Sequence, residues 1–379
     1  MKKVYLDYAA ATPLDPKVIA AMQPYLAERF YNPSASYLAA KDVRRDVEAA
    51  RQRVAHWFGA RPGEIIFTAG GTEANNLAVQ GVMQAFPGKK IIISAIEHES
   101  VLAPARGYDC AEAAVKPDGT IDLEALRRQI TDDTVLVSIM YANNEIGTIQ
   151  PISEISRFLR KIRESRRENG VELPIYLHTD ACQAAQYLDL HASRLGVDMI
   201  TINAGKIYGP KQAGALYIKS GVQFKPQILG GGQERGARSG TENVAGVVGL
   251  ATALELAQER RHEESERIGN LRDELVRLLE AQISGVSVNG SRSRRLPNNL
   301  HITIPGTDNE RLIMELDQRG IMCAAGSACS ASKEQASHVL AAIGKTEAEA
   351  YSSLRLTLGK DSDMAAVKHT VETLTGLLR

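Results

Sequence analysis

Two ionisable residues follow runs of apolar residues that we interpret as buried strands. Asp180 comes shortly after the run Ile-Tyr-Leu-His at 175–178, and Lys206 follows the run at 198–202. Open α/β sheets place ligand contacts at the carboxyl ends of their strands. A buried carboxylate requires a cationic partner, such as a protonated ring nitrogen or an arginine, and an amine in a dry pocket can form a Schiff base. Taken singly, the two residues also fit a turn-capping carboxylate and a solvated surface lysine.

A glycine turn adds a third feature, an anion site. The segment Thr-Ala-Gly-Gly-Thr-Glu at 68–73 follows a predicted strand and opens a predicted helix. Gly70 and Gly71 allow a ligand to approach the backbone closely. The N–H groups of the first helical turn, together with the Thr72 hydroxyl, suit a phosphate group. Because Glu73 is also an ordinary residue for a helix start, a simple capped turn is the alternative.

The fourth feature is a thiol, Cys329, in the small-residue segment 324–332. Since no bulky side chain is present to bury it, this segment predicts a mobile loop that exposes a nucleophile. The other cysteines, Cys110, Cys182 and Cys323, are assigned to packing, because a free cysteine usually behaves as a small buried hydrophobe. No cysteine belongs to a Cys-x-x-Cys pair, so we expect no structural metal site.

Together the four features are more specific than any one of them. An anion site, an acid suited to a ring nitrogen, a Schiff-base lysine and a separate thiol all suit pyridoxal phosphate chemistry on a cysteine-like substrate. The residue pattern therefore predicts an enzyme whose cofactor is pyridoxal 5'-phosphate.

Length and charge exclude several other classes of protein. The chain has 379 residues with 45 basic and 45 acidic side chains, so it lacks the positive field that gathers nucleic acid or an anionic membrane surface. No apolar run approaches the roughly 18 residues that span a bilayer. An acid, Asp7, precedes any apolar region at the N-terminus, which argues against a secretory signal. We expect a cytoplasmic protein that binds neither membranes nor nucleic acid directly.

Alternating strands and helices predict an α/β fold. The strands predicted for the main sheet are 64–68, 90–94, 134–140, 174–178, 198–202 and 214–218. Continuous apolar strands with helices between them are typical of a parallel sheet buried on both faces. A charged, Leu-rich helical pattern over 242–282, which we expect to be broken once, then leads into a smaller α+β segment. We place a large domain at 15–255 and a small domain, carrying the cysteine loop, at 1–14 and 256–379.

Short blocks along nearly the whole chain resemble the cysteine desulfurases of the NifS/IscS type, within the class V aminotransferase-like group. The blocks are Tyr-Leu-Asp-Tyr-Ala-Ala at 5–10, Asn-Pro-Ser at 32–34, Gly-Thr-Glu at 71–73, Glu-His at 97–98, Asn-Asn-Glu-Ile-Gly at 143–147, Asp-Ala-Cys-Gln at 180–183, Lys-Ile-Tyr-Gly-Pro-Lys at 206–211, Gly-Gly-Gln-Glu-Arg-Gly at 231–236, Arg-Ser-Gly-Thr at 238–241, Gly-Ser-Ala-Cys at 326–329 and Ser-Leu-Arg at 353–355. The resemblance implies the type I fold of pyridoxal-phosphate-dependent transferases, with a mainly parallel seven-stranded sheet in the large domain and a smaller α+β domain. It also implies conversion of L-cysteine to L-alanine.

The resemblance assigns a set of residues to the cofactor, namely Lys206, Gly71, Thr72, His98, Asn144, Asp180, Gln183, Asn203 and Thr241. Lys206 would bind the cofactor covalently and later carry the substrate Cα proton, and Asp180 would pair with the ring nitrogen. His98 would stack on the ring face and relay protons. Asn144 and Gln183 would lie near the ring hydroxyl and the substrate.

The same resemblance assigns the substrate and the sulfur. Arg355 would bind the substrate carboxylate through its planar guanidinium, with Asn144 nearby. Cys329 would take the sulfur as a persulfide and deliver it to an acceptor, either an iron–sulfur scaffold or a tRNA-thiolation protein. Thr241 would reach the phosphate bound by a neighbouring subunit, which implies a homodimer.

Two residues before the lysine depart from the family pattern, in which a serine and a histidine contact the phosphate. Asn203 and Gly205 stand in their places, and Gly205 offers only its backbone. This departure leaves open a non-catalytic partner protein that kept the fold without the cofactor. The other alternative is a selenocysteine lyase, or another pyridoxal-phosphate-dependent lyase, on the same scaffold.

Overall fold

The computed structural model describes residues 3–326 and 336–379, so the predicted nucleophile Cys329 lies outside the described residues. The helices are α1 (Pro16–Met22), α2 (Pro24–Ala27), α3 (Leu38–Phe58), α4 (Gly71–Ala85), α5 (Glu99–Ala105), α6 (Leu123–Gln129), α7 (Ile152–Glu168), α8 (Ala192–Leu195), α9 (Val244–Glu259), α10 (Arg261–Gln282), α11 (Asn309–Gln318), α12 (His338–Ala342), α13 (Glu347–Tyr351) and α14 (Met364–Leu377). The strands are β1 (Val4–Tyr5), β2 (Ile65–Thr68), β3 (Lys90–Ser94), β4 (Asp109–Ala113), β5 (Thr134–Ser138), β6 (Tyr176–Asp180), β7 (Met199–Asn203), β8 (Gly214–Ile218), β9 (Ser287–Val288), β10 (Asn299–Thr303), β11 (Ile321–Met322) and β12 (Ser353–Thr357). Short 3₁₀ helices cover Pro62–Glu64, Ala204–Lys206 and Glu234–Gly236.

A seven-stranded sheet organises the larger part of the described chain, in the order β2-β8-β7-β6-β5-β3-β4. Strands β7, β6, β5, β3 and β4 run parallel to one another, whereas β8 is antiparallel to both of its neighbours, β2 and β7. The carboxyl ends of β2, β3, β5, β6 and β7 therefore lie at one edge of the sheet. The prediction of a mainly parallel, seven-stranded sheet is confirmed.

Apolar runs build this sheet because helices cover both of its faces. In β3, the fully buried Ile92 packs into a core with residues of α3, α7 and α9. Its neighbours Ile91 and Ile93 point to the other face and pack with residues of α4 and α5. Successive strand residues alternate between faces, so a strand covered on both sides must be apolar at every position.

A separate apolar core joins the start of the chain to its last third. Strand β1 pairs in parallel with β11, and β12, β10 and β9 form a three-stranded sheet. Helices α10, α11 and α14 pack on these strands, and Val4 and Leu6 contribute to the same core. The division of the chain into domains at residues 15 and 255 stays a prediction.

Two of the observed strands, β6 and β4, differ from what the sequence predicts. Strand β6 begins and ends two residues later than the predicted strand at 174–178, so Asp180 is the last residue of the strand itself. The helical pattern at 242–282 has the single break expected from the sequence, at Arg260 between α9 and α10. The apolar pattern does not predict β4, because this edge strand reads Asp-Cys-Ala-Glu-Ala and is only partly buried.

A buried ion pair anchors the glycine-rich segment 230–236 to the main sheet. Arg51 Nη1 and Nη2 each donate to a carboxylate oxygen of Glu234 at 2.7 Å, and both side chains are 3% exposed. Glu234 Oε2 also accepts a hydrogen bond from the backbone N–H of Phe67, in β2, at 2.9 Å. These bonds fix the glycine-rich segment beside the strand that leads into the Gly70–Gly71 turn.

Candidate active site

A cavity of about 240 Å³ opens at the carboxyl edge of the seven-stranded sheet. Its walls are Ala9, Ala10, Gly71, Thr72, Asn75, His98, Ser100, Met140, Ala142, Asn144, Asp180, Cys182, Gln183, Asn203, Lys206 and Arg355. Nine residues predicted from the sequence are among them, namely Gly71, Thr72, His98, Asn144, Asp180, Gln183, Asn203, Lys206 and Arg355. The fold thus brings these widely separated residues together, while the individual roles assigned to them stay predictions.

Asp180 ends β6, and only 6% of the residue is exposed. Its Oδ1 accepts a hydrogen bond from the backbone N–H of Cys182 at 2.8 Å, and its Oδ2 accepts one from Nδ2 of Asn75 at 2.7 Å. These donors stabilise the ionised carboxylate, whose burial would otherwise be costly. Each oxygen retains a second lone pair that can accept a hydrogen bond from a ligand.

Lys206 ends the 3₁₀ helix that directly follows β7, so its side chain enters the cavity from the sheet edge. Its Nζ donates to the carbonyl oxygens of Ala9 at 3.0 Å and Ala10 at 2.5 Å. Gln183 Nε2 donates to the same Ala9 oxygen at 3.0 Å. The N-terminal segment therefore holds both side chains through main-chain atoms, which leave no side-chain signature in the sequence.

Gly70 and Gly71 begin helix α4 at the cavity wall. Gly70, the N-cap residue, has a φ of 126°, a conformation that favours glycine. A Cβ added to Gly71 would lie 2.6 Å from Sγ of Cys182, so a larger residue would collide with the thiol. The first-turn N–H groups of α4 have no partner within the helix and attract an anion, together with the exposed Thr72.

Cys182, expected from the sequence to be a packing residue, contributes to the cavity wall. Burial, and then the nearby Asp180 carboxylate, raise the pKa of this thiol well above its usual value. Because the thiolate is the nucleophilic form, Cys182 stays protonated at neutral pH and is a poor nucleophile. Its position suits contact with a ligand rather than covalent chemistry.

His98 is the N-cap residue of α5 and its ring lines the cavity. The ring nitrogen Nδ1 accepts a hydrogen bond from the backbone N–H of Ser100 at 3.1 Å. The hydroxyl of Ser100 lies 2.8 Å from the same nitrogen. Two contacts from one residue therefore hold the imidazole in a single orientation.

Arg355, 1% exposed, reaches the cavity from β12 of the three-stranded sheet. Its Nη2 donates to Asp7 Oδ1 at 2.6 Å, and its Nη1 donates to the backbone oxygen of Asn144 at 3.1 Å. Among the described residues its buried Nε has no hydrogen-bond partner. A buried donor without a partner is unfavourable, so this guanidinium is suited to a ligand carboxylate.

Among the predicted site residues that the structure describes, Thr241 is not one of the walls of the cavity. Thr241 is exposed, on the segment that precedes α9, and does not line the cavity of its own chain. Cys329 lies outside the described residues. Asn203 does line the cavity, and its Oδ1 accepts the backbone N–H of Gly205 at 3.1 Å, which leaves its Nδ2 donor group for a ligand.

Comparisons with known proteins agree with this geometry. The family model described as Aminotransferase class-V matches residues 4–369. The chain belongs to this family. It is 42% identical to the protein named cysteine desulfurase IscS from Dictyoglomus turgidum, over 100% of this chain and 95% of that relative.

Solved structures give the same family. A NifS-like protein matches with a TM-score of 0.91 and 32% sequence identity, covering 100% of this chain and 99% of that chain. A structure described as SspA in complex with cysteine matches with a TM-score of 0.81 and 33% identity, covering 94% and 99% of the two chains. The resemblance stated from the sequence blocks, and the type I fold that it implied, are confirmed.

Residues 3–326 and 336–379 offer neither a cluster suited to a metal ion nor a helix that could span a membrane. Within these ranges, no group of three or more His, Cys, Asp or Glu side chains could hold a metal ion. In the same part of the chain, every helix is too short or too polar to cross a membrane.

Gly71→Ala should destabilise the cofactor-free protein by about 1–3 kcal/mol, because the added Cβ overlaps Sγ of Cys182 and forces a packing shift. In the background of Cys182→Ala the same change should cost less, since the thiol is gone. Urea denaturation of the two single variants and the double variant forms a double-mutant cycle that measures this coupling.

Gly63→Ala is the matched control, because a Cβ at Gly63 would meet nothing within 4 Å. Its stability should stay within about 0.5 kcal/mol of the parent protein. If Gly71→Ala behaved like Gly63→Ala, or lost equal stability with and without the thiol, the described contact would be wrong.

Proposed function

We propose that this protein is a pyridoxal-phosphate-dependent cysteine desulfurase. It converts L-cysteine to L-alanine and carries the sulfur as a persulfide on Cys329 for transfer to an acceptor. The observation that carries the proposal is the meeting of Asp180, Lys206, the Gly71 helix start and Arg355 in one cavity. The similarity over the full chain to a relative named cysteine desulfurase adds independent support.

The residues around the cavity fit pyridoxal phosphate. Asp180 offers lone pairs to a protonated ring nitrogen, Lys206 offers a primary amine to the aldehyde, and the first turn of α4 offers N–H groups to the phosphate. When bound, this cofactor stores the electron pair that is released as the substrate Cα loses its proton. Gly205 adds no side chain, so Asn203 and Thr72 are the side chains of the same chain that remain for the phosphate.

Lys206 moves the substrate proton in this proposal. Its Nζ takes the proton from the substrate Cα and later returns it. The carbonyl oxygens of Ala9 and Ala10 accept hydrogen bonds from the protonated amine. His98 lines the same cavity and is the second group positioned to transfer a proton.

Arg355 orients the substrate. A carboxylate at its Nε would satisfy the buried donor and add a charge-assisted hydrogen bond. Asp7 and the backbone of Asn144 hold the other two nitrogens of the guanidinium. The substrate α-carboxylate is therefore bound by a side chain that is already fixed in place, which lowers the entropy lost on binding.

The sulfur passes to Cys329. The Cys329 thiolate attacks the substrate sulfur, an S–S bond forms, and the C–S bond breaks with its electron pair moving to carbon, which then takes up a proton. Cys182 is a poorer nucleophile, because burial and the Asp180 carboxylate raise the pKa of its thiol. The acceptor of the persulfide sulfur is, by resemblance, an iron–sulfur scaffold or a tRNA-thiolation protein.

Cys329→Ser should bind the cofactor normally, yet its rate of alanine formation from L-cysteine should fall by on the order of 10³-fold or more, as in other enzymes that lose their nucleophile.

Lys206→Ala should lose the pyridoxyl adduct that borohydride fixes on the wild-type chain, and mass spectrometry would detect this loss. Sulfur-35 from labelled cysteine should reach Cys329, and adding candidate scaffold proteins or tRNA with its thiolation protein would show where it goes next.

Cys110→Ser is the control for these variants, because Cys110 lies on the edge strand β4 and does not line the cavity. It should keep full activity. Full turnover by Cys329→Ser would indicate a selenocysteine lyase or another lyase instead. Wild-type protein without cofactor absorption, even after addition of pyridoxal phosphate, would indicate a non-catalytic partner protein.

Arg355→Gln should lower kcat/KM for L-cysteine by about 100-fold, because a charge-assisted contact with the carboxylate is lost. Binding of cysteamine, which has no carboxylate, should change by less than about threefold on the same principle. Arg319→Gln, at an exposed position on the surface, is the control for loss of a guanidinium. If kcat/KM for L-cysteine and the binding of cysteamine fell by the same factor, Arg355 would have a structural role only.

The proposal includes a homodimer in which Thr241 completes the phosphate site of the other subunit. Large apolar side chains on the surface support it, since Phe30 is 69% exposed, Leu38 78% and Leu229 79%. The ring of Tyr31 contacts the rings of Phe30 and Tyr37. Exposed apolar groups of this kind are typical of surfaces that another protein covers.

Phe30→Asp combined with Leu38→Asp should convert the dimer to a monomer, because buried charges without partners are unfavourable at an interface. Sedimentation equilibrium measures the change. Met314→Asp, which places an acid at a 61% exposed methionine on α11, should remain dimeric. A monomeric parent protein, or an unchanged mass for the double variant, would contradict the proposed dimer.

A further inference from the structure

A chain of hydrogen bonds connects Asp180 to His98 through two buried residues that the chemistry described above does not use. Asn75 Nδ2 lies 2.7 Å from Asp180 Oδ2 and 2.8 Å from Ser100 Oγ. Ser100 Oγ in turn lies 2.8 Å from His98 Nδ1. Asn75 is 1% exposed and Ser100 8% exposed, so water has little access to these bonds.

The direction of each bond follows from the chemistry of its atoms. An ionised carboxylate only accepts, so the Asn75 group facing Asp180 is its NH₂ group, which has two hydrogens. One hydrogen goes to Asp180 and the other to Ser100 Oγ, so Oγ accepts there. Because His98 Nδ1 accepts the backbone N–H of Ser100, it carries no proton, and the Ser100 hydroxyl is therefore the donor in its contact with Nδ1. The backbone N–H of Ser100 also donates to Nδ1, and a backbone N–H cannot accept.

These directions determine the tautomer of the imidazole. Because His98 Nδ1 accepts two hydrogen bonds, it carries no proton, and the single proton of the neutral ring resides on Nε2. The ring lines the cavity. One asparagine side chain thus contacts the carboxylate directly and sets the proton position of the histidine through one hydroxyl.

We propose that Asn75 is a positioning residue that couples the two groups, orienting the Asp180 carboxylate and, through Ser100, keeping His98 as its Nε2-protonated tautomer. The part concerning His98 stands on the cofactor-free chain. The part concerning cofactor affinity rests on the proposed function, in which Asp180 pairs with the ring nitrogen of pyridoxal phosphate. Asn75 acts through Asp180 and His98 and takes no part in proton transfer itself.

The tautomer can be tested without cofactor or substrate by nitrogen-15 NMR of the histidine side chains. The chain has eight histidines, and the signals of His98 are those that disappear in His98→Gln. In wild-type protein, Nδ1 should resonate as an unprotonated nitrogen and Nε2 as a protonated one. Both Asn75→Ala and Ser100→Ala should narrow the separation of the two signals, because Nδ1 loses a directed donor.

Titration of cofactor-free protein with pyridoxal phosphate, followed by absorbance, distinguishes the contact of Asn75 with Asp180 from its contact with Ser100. Asn75→Ala should raise the dissociation constant about 10- to 100-fold, the effect of removing one hydrogen bond to a buried charge. Ser100→Ala leaves the contact between Asn75 and Asp180 in place, so it should raise the dissociation constant less than Asn75→Ala does. Gln84→Ala removes an exposed amide from the same helix and should change neither measurement.

The outcomes are distinct. A purely structural role for Asn75 would lower the melting temperature while leaving the His98 signals and the dissociation constant of the folded protein unchanged, and that result would overturn the proposal. A wild-type His98 protonated on Nδ1 would overturn it as well. If wild-type protein bound no pyridoxal phosphate, the proposed function would fail, and the NMR comparison would still decide the role of Asn75. Asn75→Leu, which nearly keeps the side-chain volume, serves if Asn75→Ala does not fold.

Discussion

A carboxylate at the buried end of a strand is the constraint on which the rest of this structure depends. Asp180 lies at the sheet edge with 6% of its surface exposed, and a charge in such a place is tolerated only when donors surround it. The backbone after β6 turns back to supply one N–H, and helix α4 supplies an amide. The helix must therefore start close to the end of β6, and this closeness shapes the cavity.

The glycine turn before α4 follows from that closeness. Gly71 passes so near Cys182 that a methyl group would overlap the sulfur, and Gly70 has a φ that favours glycine. A Cβ on Gly214, at the start of β8, would likewise lie 2.6 Å from the backbone of Gly70. Because the backbone segments approach one another so closely, the N–H groups of the first helical turn reach the cavity, and larger side chains are excluded from these positions.

The sequence predicts much of the fold, and it predicts those site residues whose side-chain type is unusual for its position in the sequence. Strands such as β3 are recognisable because both faces are buried. The edge strand β4 is only partly buried, and its sequence, Asp-Cys-Ala-Glu-Ala, shows neither a continuous apolar run nor a regular alternation of polar and apolar residues. Asp180 and Lys206 stand out because ionisable residues follow apolar runs. Asn75 and Ser100 do not stand out in the sequence, because an amide or a hydroxyl in a helix is usually a solvated surface group. Ala9 and Ala10 act through carbonyl oxygens, which every residue has.

The walls of the cavity come from both ends of the chain, from Ala9 to Arg355. Asp7 forms an ion pair with Arg355 and an isolated β-bridge with Thr357, so the segment after β1 is joined to β12, the last strand of the chain. Ribosomes add roughly 5–20 residues each second, and contacts this distant in sequence form only when synthesis is nearly finished. Until then the cavity lacks the wall that Arg355 supplies, although both faces of the seven-stranded sheet can already be covered by helices. A ligand that needs the complete cavity can consequently bind only late in biogenesis.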